Sequence, residues 1–138
     1  LEPFTNRSDK GKKVKTYNKR DMEAVLAARK VMGDKPVIVS MEMNKPTVFA
    51  EFEGVADAIL VNFGVQNQAV LDIVSGKSEP NALLPLQMPA DMRTVEEQAE
   101  DVPRDMRCYT DSEGNTYDFA FGMNWKGKID DERVAKYK

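Results

Sequence analysis

The chain has 138 residues, of which 41% are hydrophobic and 31% charged, and its formal net charge is -3. This composition is typical of a single soluble globular domain. The low net charge gives no general attraction to nucleic acid, and the apolar runs are far shorter than the roughly 20 residues of a membrane helix. The single cysteine, Cys108, and the lack of histidine exclude an internal disulfide, a Cys-based zinc site and His-activated nucleophiles. Carboxylates, Lys and Tyr remain for proton transfer. We expect neither a metal nor a cofactor.

Residues 1–16 are polar, and we expect them to be irregular. The chain begins with Leu1 rather than Met, which we interpret as a sign of processing or of excision from a longer protein. The basic run from Lys10 to Lys15 has no interleaved aromatic residues. It therefore favours a solvated loop over a phosphate-binding segment.

The first predicted helix begins after Asn18, a suitable N-cap, and ends before Gly33 at the C′ position. Asp21 lies in its first turn, where the helix dipole favours a negative charge. Tyr17 and Met22 have the spacing of a hydrophobic staple. Helical spacing also gives an apolar stripe that we expect to lie on a sheet, formed by Met22, Val25, Leu26 and Met32.

Two short β-branched or apolar runs predict strands buried on both faces, as in parallel sheets. The first is residues 37–39 and the second is residues 58–63. Residues 41–45 form the loop after the first strand, and residues 46–52 are predicted as a short helix with Pro46 near its first position. The connection is long enough for a crossover between parallel strands.

The remaining elements are a helix over residues 66–75, capped by Gly76, and then an extended path over residues 77–92 with three prolines. Residues 93–105 are acidic and weakly helical at best. Residues 106–110 and 116–121 predict a β-hairpin in which Gly114 and Asn115 supply the positive-φ turn positions. Asp111 and Glu113 lie in that turn, but the spacing of a calcium loop is missing, so we interpret it as a plain turn.

The predicted fold is α/β with a mostly parallel sheet and a C-terminal β-hairpin, in a single domain over residues 1–138. Two strands make a poor parallel sheet. We therefore expect further strands, either from the irregular ends or from sequence that precedes these residues.

Six segments between residues 35 and 125 resemble, in order, the C-terminal α/β sandwich domain of glycoside hydrolase family three, the β-glucosidase and β-xylosidase family. The segments are Lys35-Pro36-Val37-Ile38-Val39, Met43-Asn44-Lys45-Pro46, Ala56-Asp57-Ala58-Ile59-Leu60-Val61, Ala69-Val70-Leu71-Asp72-Ile73-Val74-Ser75-Gly76, Glu79-Pro80-Asn81-Ala82-Leu83-Leu84-Pro85 and Tyr117-Asp118-Phe119-Ala120-Phe121-Gly122-Met123-Asn124-Trp125. The family pattern has Gly-Arg at Asn44-Lys45, Ser-Gly at Asn81-Ala82 and often Gly at Ala120.

The resemblance implies a three-layer sandwich and a parent enzyme that hydrolyses terminal β-linked sugars with retention of configuration. In this family the nucleophilic Asp belongs to a preceding barrel domain, which takes some 250 residues and cannot fit in this chain. The chain is therefore expected to be inactive alone, and its partners are a carbohydrate substrate and the missing barrel. Members of the family are commonly exported, so a periplasmic or secreted parent fits the resemblance, although the sequence does not fix the compartment.

Candidate site residues come from two arguments. Because functional groups in open α/β sheets gather at the carboxyl ends of strands, Glu42 is the acid candidate that the residues themselves indicate, with an exposed loop carboxylate as the simpler interpretation. The resemblance instead points to Glu2 as the acid/base residue, with Thr5 fitting the same position equally well. It also points to Asn6 and Arg7 as ligands of sugar hydroxyls. Trp125 is either an aromatic platform for a sugar ring or, as the simpler interpretation, a buried C-terminal anchor.

A second functional hypothesis remains open. The chain is then a standalone α/β binding or interaction module without hydrolase activity, which the well-formed helix caps and a self-sufficient core favour. In either case, a sheet with missing strands exposes edges and apolar faces, and we expect self-association.

Overall fold

The computed structural model describes residues 11–13, 18–99 and 102–137, and it has a mixed α/β fold, as predicted. In chain order the elements are helix α1 (Lys19–Met32), strand β1 (Ile38–Glu42), a 3-10 turn (Glu53–Val55), strand β2 (Ala58–Asn62), helix α2 (Asn67–Val74), helix α3 (Met92–Glu97), strands β3 (Met123–Asn124) and β4 (Gly127–Lys128), and helix α4 (Glu132–Ala135). None of the helices in these ranges combines the length and apolarity needed to cross a bilayer.

Strands β1 and β2 pair in parallel, with Ile38 opposite Ala58 and Glu42 opposite Asn62. One face of this sheet packs on the core through Val39, Met41, Ile59 and Val61. The other face carries Ile38, which is 43% exposed, so the prediction of burial on both faces is wrong. Met22 and Val25 of α1 pack against the same core cluster as this first face. The third layer of the expected sandwich stays a prediction.

The main core cluster is built by a loop rather than by a helix. Phe49 and Met88 are fully buried, and the Phe49 ring lies 5.3 Å from Phe52 and 5.5 Å from Tyr117, centroid to centroid. The helix predicted from Pro46 to Phe52 does not form. Instead, the backbone N–H groups of Phe52 and Glu53 both donate to the carbonyl of Phe49, at 3.0 and 2.9 Å, and the chain makes its turn there.

Helix α1 has the predicted ends, but Asn18 caps it only through its backbone. Its carbonyl accepts from Asp21 N at 3.0 Å, while its side chain makes no capping hydrogen bond. Gly33 takes a φ of 57° and donates its N–H to the carbonyl of Arg29, which ends the helix. Tyr17, and with it the predicted staple, lies outside the described residues.

Arg29 ties α1 to the starts of both parallel strands. Its Nε donates to the carbonyl of Val55 at 2.8 Å and its Nη1 to the carbonyl of Gly33 at 3.0 Å. Its Nη2 forms an ion pair with Asp57, which also accepts from the N–H of Val37 at 2.7 Å. The N–H of Val37, first, and Arg29, second, lower the pKa of Asp57. This network fixes where β1 and β2 begin.

The region after α2 differs most from the prediction. Helix α3 forms where only weak helicity was expected, because Asp91 caps it by accepting from Thr94 N at 2.8 Å. The predicted hairpin is irregular: Tyr109 N donates to the carbonyl of Met88, and Met88 N to the carbonyl of Tyr117, each at 2.9 Å. Met88 therefore accepts a hydrogen bond from one arm and donates one to the other. Gly114 has the predicted positive φ and Asn115 does not.

The regular antiparallel hairpin is β3 with β4, which the sequence did not predict. A second core cluster of Ala120, Ile129 and Val134, with Leu83 packed on it, holds this hairpin to the rest of the chain. Gly122 allows the close approach, since a β-carbon there would lie 2.3 Å from the carbonyl oxygen of Ala82.

Candidate functional site

The carboxyl ends of β1 and β2 meet at one edge of the sheet, as the parallel pairing requires. Met43 N donates to the carbonyl of Asn62 at 2.8 Å, which extends the pairing by one residue and sends the Met43 side chain into the core. The side-chain oxygen of Asn62 accepts from Gly64 N at 3.1 Å and from Val65 N at 3.4 Å. This turn, with Gly64 at a φ of 90°, directs the chain into α2.

Glu42 and Phe63 are the groups that this edge presents to solvent. The Glu42 carboxylate lies beside Gly64, because a β-carbon there would be 4.0 Å from Glu42 Oε1. Phe63 is 49% exposed. Retaining glycosidases need two carboxyl groups about 5–5.5 Å apart, whereas the two strand ends contribute one carboxylate, Glu42.

The residues that the family resemblance selected, Glu2, Asn6 and Arg7, lie outside the described residues, as does Thr5. Trp125 is described, and it is 59% exposed in the turn between β3 and β4. Its interpretation as a buried C-terminal anchor is therefore wrong. Ile129 and Val134 provide that anchor instead, which leaves the indole of Trp125 in solvent.

Glu53 accepts hydrogen bonds from two tyrosines, a cluster that sequence reasoning missed. Tyr109 donates to Glu53 Oε2 at 3.0 Å, and Tyr117 approaches Oε1 at 3.5 Å. Burial, assisted by the Glu53 carboxylate, raises the pKa of Tyr109 to about 12 and also raises the pKa of Tyr117. Both phenols stay protonated, so the cluster joins two parts of the core rather than providing a base. No local pattern reveals it, since the partners are 56 and 64 residues apart.

Cys108 belongs to a second polar cluster. The side-chain amide of Gln87 donates to Asp118 Oδ1 at 2.7 Å and to Cys108 Sγ at 3.2 Å. Burial, together with the charge of Asp118, raises the pKa of the Cys108 thiol to about 11. Because the thiolate is the nucleophilic form, this cysteine is a poor nucleophile near neutral pH.

The Asp111 carboxylate accepts hydrogen bonds from residues of its own turn. Its Oδ1 accepts from Glu113 N at 3.0 Å and from Asn115 N at 2.8 Å, and its Oδ2 accepts from Asn115 Nδ2 at 2.9 Å. Within the described ranges, no group of three or more His, Cys, Asp or Glu residues is placed to hold a metal ion.

Comparison with known proteins gives β-glucosidases as relatives. The chain is 33% identical over 97 residues to "Beta-glucosidase C" of Emericella nidulans, which covers 70% of this chain and 15% of that protein. It is 40% identical over 78 residues to "Probable beta-glucosidase C" of Aspergillus flavus, covering 56% of this chain and 12% of that protein. The resemblance to glycoside hydrolase family three is confirmed.

A bacterial relative extends the comparison. "Periplasmic beta-glucosidase/beta-xylosidase" of Dickeya chrysanthemi is 26% identical over 102 residues, covering 74% of this chain and 15% of that protein. The family-three-like chain thus spans only 12–15% of the length of these curated relatives. No family model and no solved structure matches it.

The structure shows the surroundings of two departures from the family-three pattern. Ala120 takes a φ of 63°, the left-handed region that favours glycine, which accounts for the glycine often found there in the family. Asn81 stands where the family pattern has Ser. Its carbonyl and side-chain oxygens accept from Arg133 at 2.8 and 2.7 Å. This residue therefore holds α4 in place.

Proposed function

We propose that this chain is part of the C-terminal α/β domain of a retaining β-glycosidase that hydrolyses terminal β-linked sugars. The nucleophile would come from a barrel domain outside these 138 residues, so that the isolated chain is inactive. The similarity to β-glucosidase C over 70% of the chain carries this proposal. The geometry of the strand ends supports it, because they bring one carboxylate to the edge where a retaining mechanism requires two.

The first experiment measures hydrolysis of aryl β-glucosides and β-xylosides by the isolated chain and by the full-length parent protein. We expect turnover by the parent and none by the chain. Robust turnover by the chain alone would contradict the assignment of the nucleophile to another domain. A parent reading frame without a barrel-like βα pattern upstream would refute the family assignment of the whole protein.

Within the parent, Glu2 is proposed as the acid/base residue and Asn6 and Arg7 as contacts to sugar hydroxyls. The substitution Glu2→Gln should lower kcat by about 10²–10⁴ for a substrate with a poor leaving group, and much less for an activated aryl glycoside that leaves without protonation. Glu42→Gln tests the competing candidate at the strand end, and Glu51→Gln serves as the control at an exposed turn. A leaving-group dependence produced by Glu42→Gln and not by Glu2→Gln would move the role to Glu42.

We also propose that the 138 residues form a single domain that becomes one part of a three-layer sandwich in the parent. An exposed apolar surface after β2 and along α2 supports this proposal. Exposed apolar side chains follow β2 and continue along α2, among them Phe63, Val65, Leu71 and Val74, which are 45–58% exposed. Surfaces of this kind are normally covered by protein.

The isolated chain should therefore self-associate at high concentration. Sedimentation velocity over a concentration series tests this, and a charged substitution such as Leu71→Glu should shift the distribution toward monomer. Leu71 is 58% exposed, so that the fold should survive the change. Strictly monomeric behaviour of the unmodified chain would contradict the expectation.

The alternative function is a standalone α/β interaction module without hydrolase activity. Two core clusters, one around Phe49 and one around Ile129, support it because they give the chain packing of its own. Pull-down with the chain as bait, compared with titration of sugars and purified barrel domain, separates the two functions. A specific protein partner with no response to sugars or barrel would favour the module.

A further inference from the structure

The tip of the β3–β4 hairpin exposes a tryptophan that the core does not use. Asn124 pairs with Gly127, so Trp125 and Lys126 are the two residues of the turn. Trp125 is 59% exposed, although a buried aromatic side chain normally contributes among the largest hydrophobic free energies in a protein. Its position is better explained by contact with a molecule outside the chain than by folding.

The hairpin holds this indole on a fixed support. The Asn124 side-chain oxygen accepts from Lys126 N at 2.9 Å, which closes the turn. At the base, Ile129 N donates to the carbonyl of Gly122 at 2.9 Å, and Ile129 is 4% exposed. A ligand that stacks on Trp125 therefore meets a platform whose backbone is already ordered, which lowers the entropic cost of binding.

The chemistry around the indole fits a sugar ring. A pyranose in the β-configuration has a face of C–H groups that stacks on an aromatic ring and a rim of hydroxyls that needs hydrogen-bonding partners. The Asn124 carboxamide has its Nδ2 group without an acceptor among the described residues. The exposed Lys126 beside it supplies an ammonium donor. One aromatic face with two polar donors thus lies within three consecutive residues.

The exposed apolar area at the hairpin tip is small, which favours a sugar over a protein as the ligand. Stable protein interfaces bury about 800 Å² on each partner. At the hairpin tip, the other exposed large apolar side chain in the same segment is Met123, at 44%, and the flanking residues Lys126 and Lys128 are charged. A single indole on a polar tip matches one sugar ring, whereas the apolar surface along α2 is the one that suits protein.

We propose that Trp125, with Asn124 and Lys126, forms a binding site for β-linked glucosides or xylosides, separate from the strand-end edge at Glu42. The choice of sugar class rests on the proposed function, and the site itself rests on the hairpin. It is a binding site without a role in bond cleavage.

The test uses the fact that Trp125 is the only tryptophan in the chain, so its fluorescence reports on this site alone. Titration with cellobiose and xylobiose should change the indole emission with saturation at about 1–10 mM, the weak range expected for one stacked ring. Mannitol at equal concentration, which has hydroxyls but no ring, should give no saturable change. Absence of a saturable response to either disaccharide up to roughly 100 mM would overturn the proposal.

Variants examine the same site by a method that does not need the indole. In affinity electrophoresis through soluble β-glucan or xylan, Trp125→Ala should lower the association constant about tenfold or more, and Trp125→Tyr should retain part of it. Tyr137→Ala removes an aromatic side chain of similar exposure, 48%, from another surface and should leave retardation unchanged. Circular dichroism checks that each variant is folded. Equal retardation of Trp125→Ala and the unmodified chain would overturn the proposal.

Other outcomes distinguish this site from the proposed function. A sugar response of the chain, together with a full-length protein that hydrolyses no β-glycoside, would refute the function and leave the site. Hydrolysis by the full-length protein with no response of Trp125 to sugar would refute the site and leave the proposed function. A blue shift that grows with protein concentration in the absence of sugar, with no sugar response, would identify the tip as a protein contact and overturn the proposal.

Discussion

Among the glycines of this chain, Gly122 is the one where an added methyl group should cause the largest conflict. A β-carbon at Gly122 would lie 2.3 Å from the carbonyl oxygen of Ala82, 3.0 Å from Leu83 Cδ2 and 3.3 Å from the carbonyl carbon of Ala82. Optimal contacts between non-bonded heavy atoms lie near 3.5–4.0 Å. The backbone at Ala82 would therefore have to retreat by about 1 Å, and it is held there because Leu84 N donates to the carbonyl of Phe121 at 2.7 Å.

We expect Gly122→Ala to lower the free energy of unfolding by about 3 kcal/mol, the upper end of the usual overpacking cost. For a chain of this size, that corresponds to a melting temperature lower by roughly 10 °C. Gly54→Ala is the matched control, because nothing lies within 4 Å of a β-carbon there and its φ is not positive. By restricting the unfolded chain, Gly54→Ala should stabilise the protein by about 0.4–1 kcal/mol.

Urea unfolding followed by circular dichroism measures both variants, with midpoint and m-value fitted separately. The reasoning would be refuted if Gly122→Ala and Gly54→Ala had the same midpoint. A second readout is the fluorescence of Trp125, since the displaced hairpin should change the environment of its only tryptophan. An unchanged emission spectrum with a lowered midpoint would mean that the strain is relieved on the Ala82 side.

Three further predictions follow from burial and hydrogen bonding. Phe49 is 1% exposed, so Phe49→Ala should cost about 3–5 kcal/mol and Phe49→Leu clearly less; similar midpoints in urea would contradict this packing. The pKa of Asp57 is lowered in the folded protein, so its ionised form stabilises the fold at pH values above the ordinary pKa of 3.8, and this contribution is lost as the pH falls through the lower folded-state pKa. The stability of Asp57→Asn should therefore depend less on pH below about 4 than that of the unmodified chain. Parallel curves of stability against pH for the two proteins would show that the Arg29 network is not linked to folding. With the pKa of its thiol at about 11, Cys108 should react with a disulfide reagent at pH 8 at least about 100-fold more slowly than in urea, and equal rates would show that the thiol is not shielded.

The local sequence was sufficient to predict the elements whose structure is determined by residues close to one another in the chain. Helix α1 ends at Gly33 because a residue with a φ of 57° stops the helix there, and the two apolar runs became the parallel pair β1 and β2. The carboxyl edge with Glu42 followed directly, because parallel strands end on the same side. The helix predicted for Pro46–Phe52 did not form, although Pro46 is a suitable first helical residue, because Phe49 and Phe52 insert into the core from a turn.

By itself, then, the sequence determined the α/β class, the parallel pair and the kinship with family three, because these depend on residue periodicity and on the order of segments along the chain. Tertiary structure alone decided that Glu53 would meet two tyrosines from 56 and 64 residues away, and that Ile129 and Val134 rather than Trp125 would anchor the C-terminal hairpin. These outcomes depend on which side chains pack together in the folded core. A contact between segments far apart in the chain does not change the residue pattern within either segment, so the sequence alone does not reveal it.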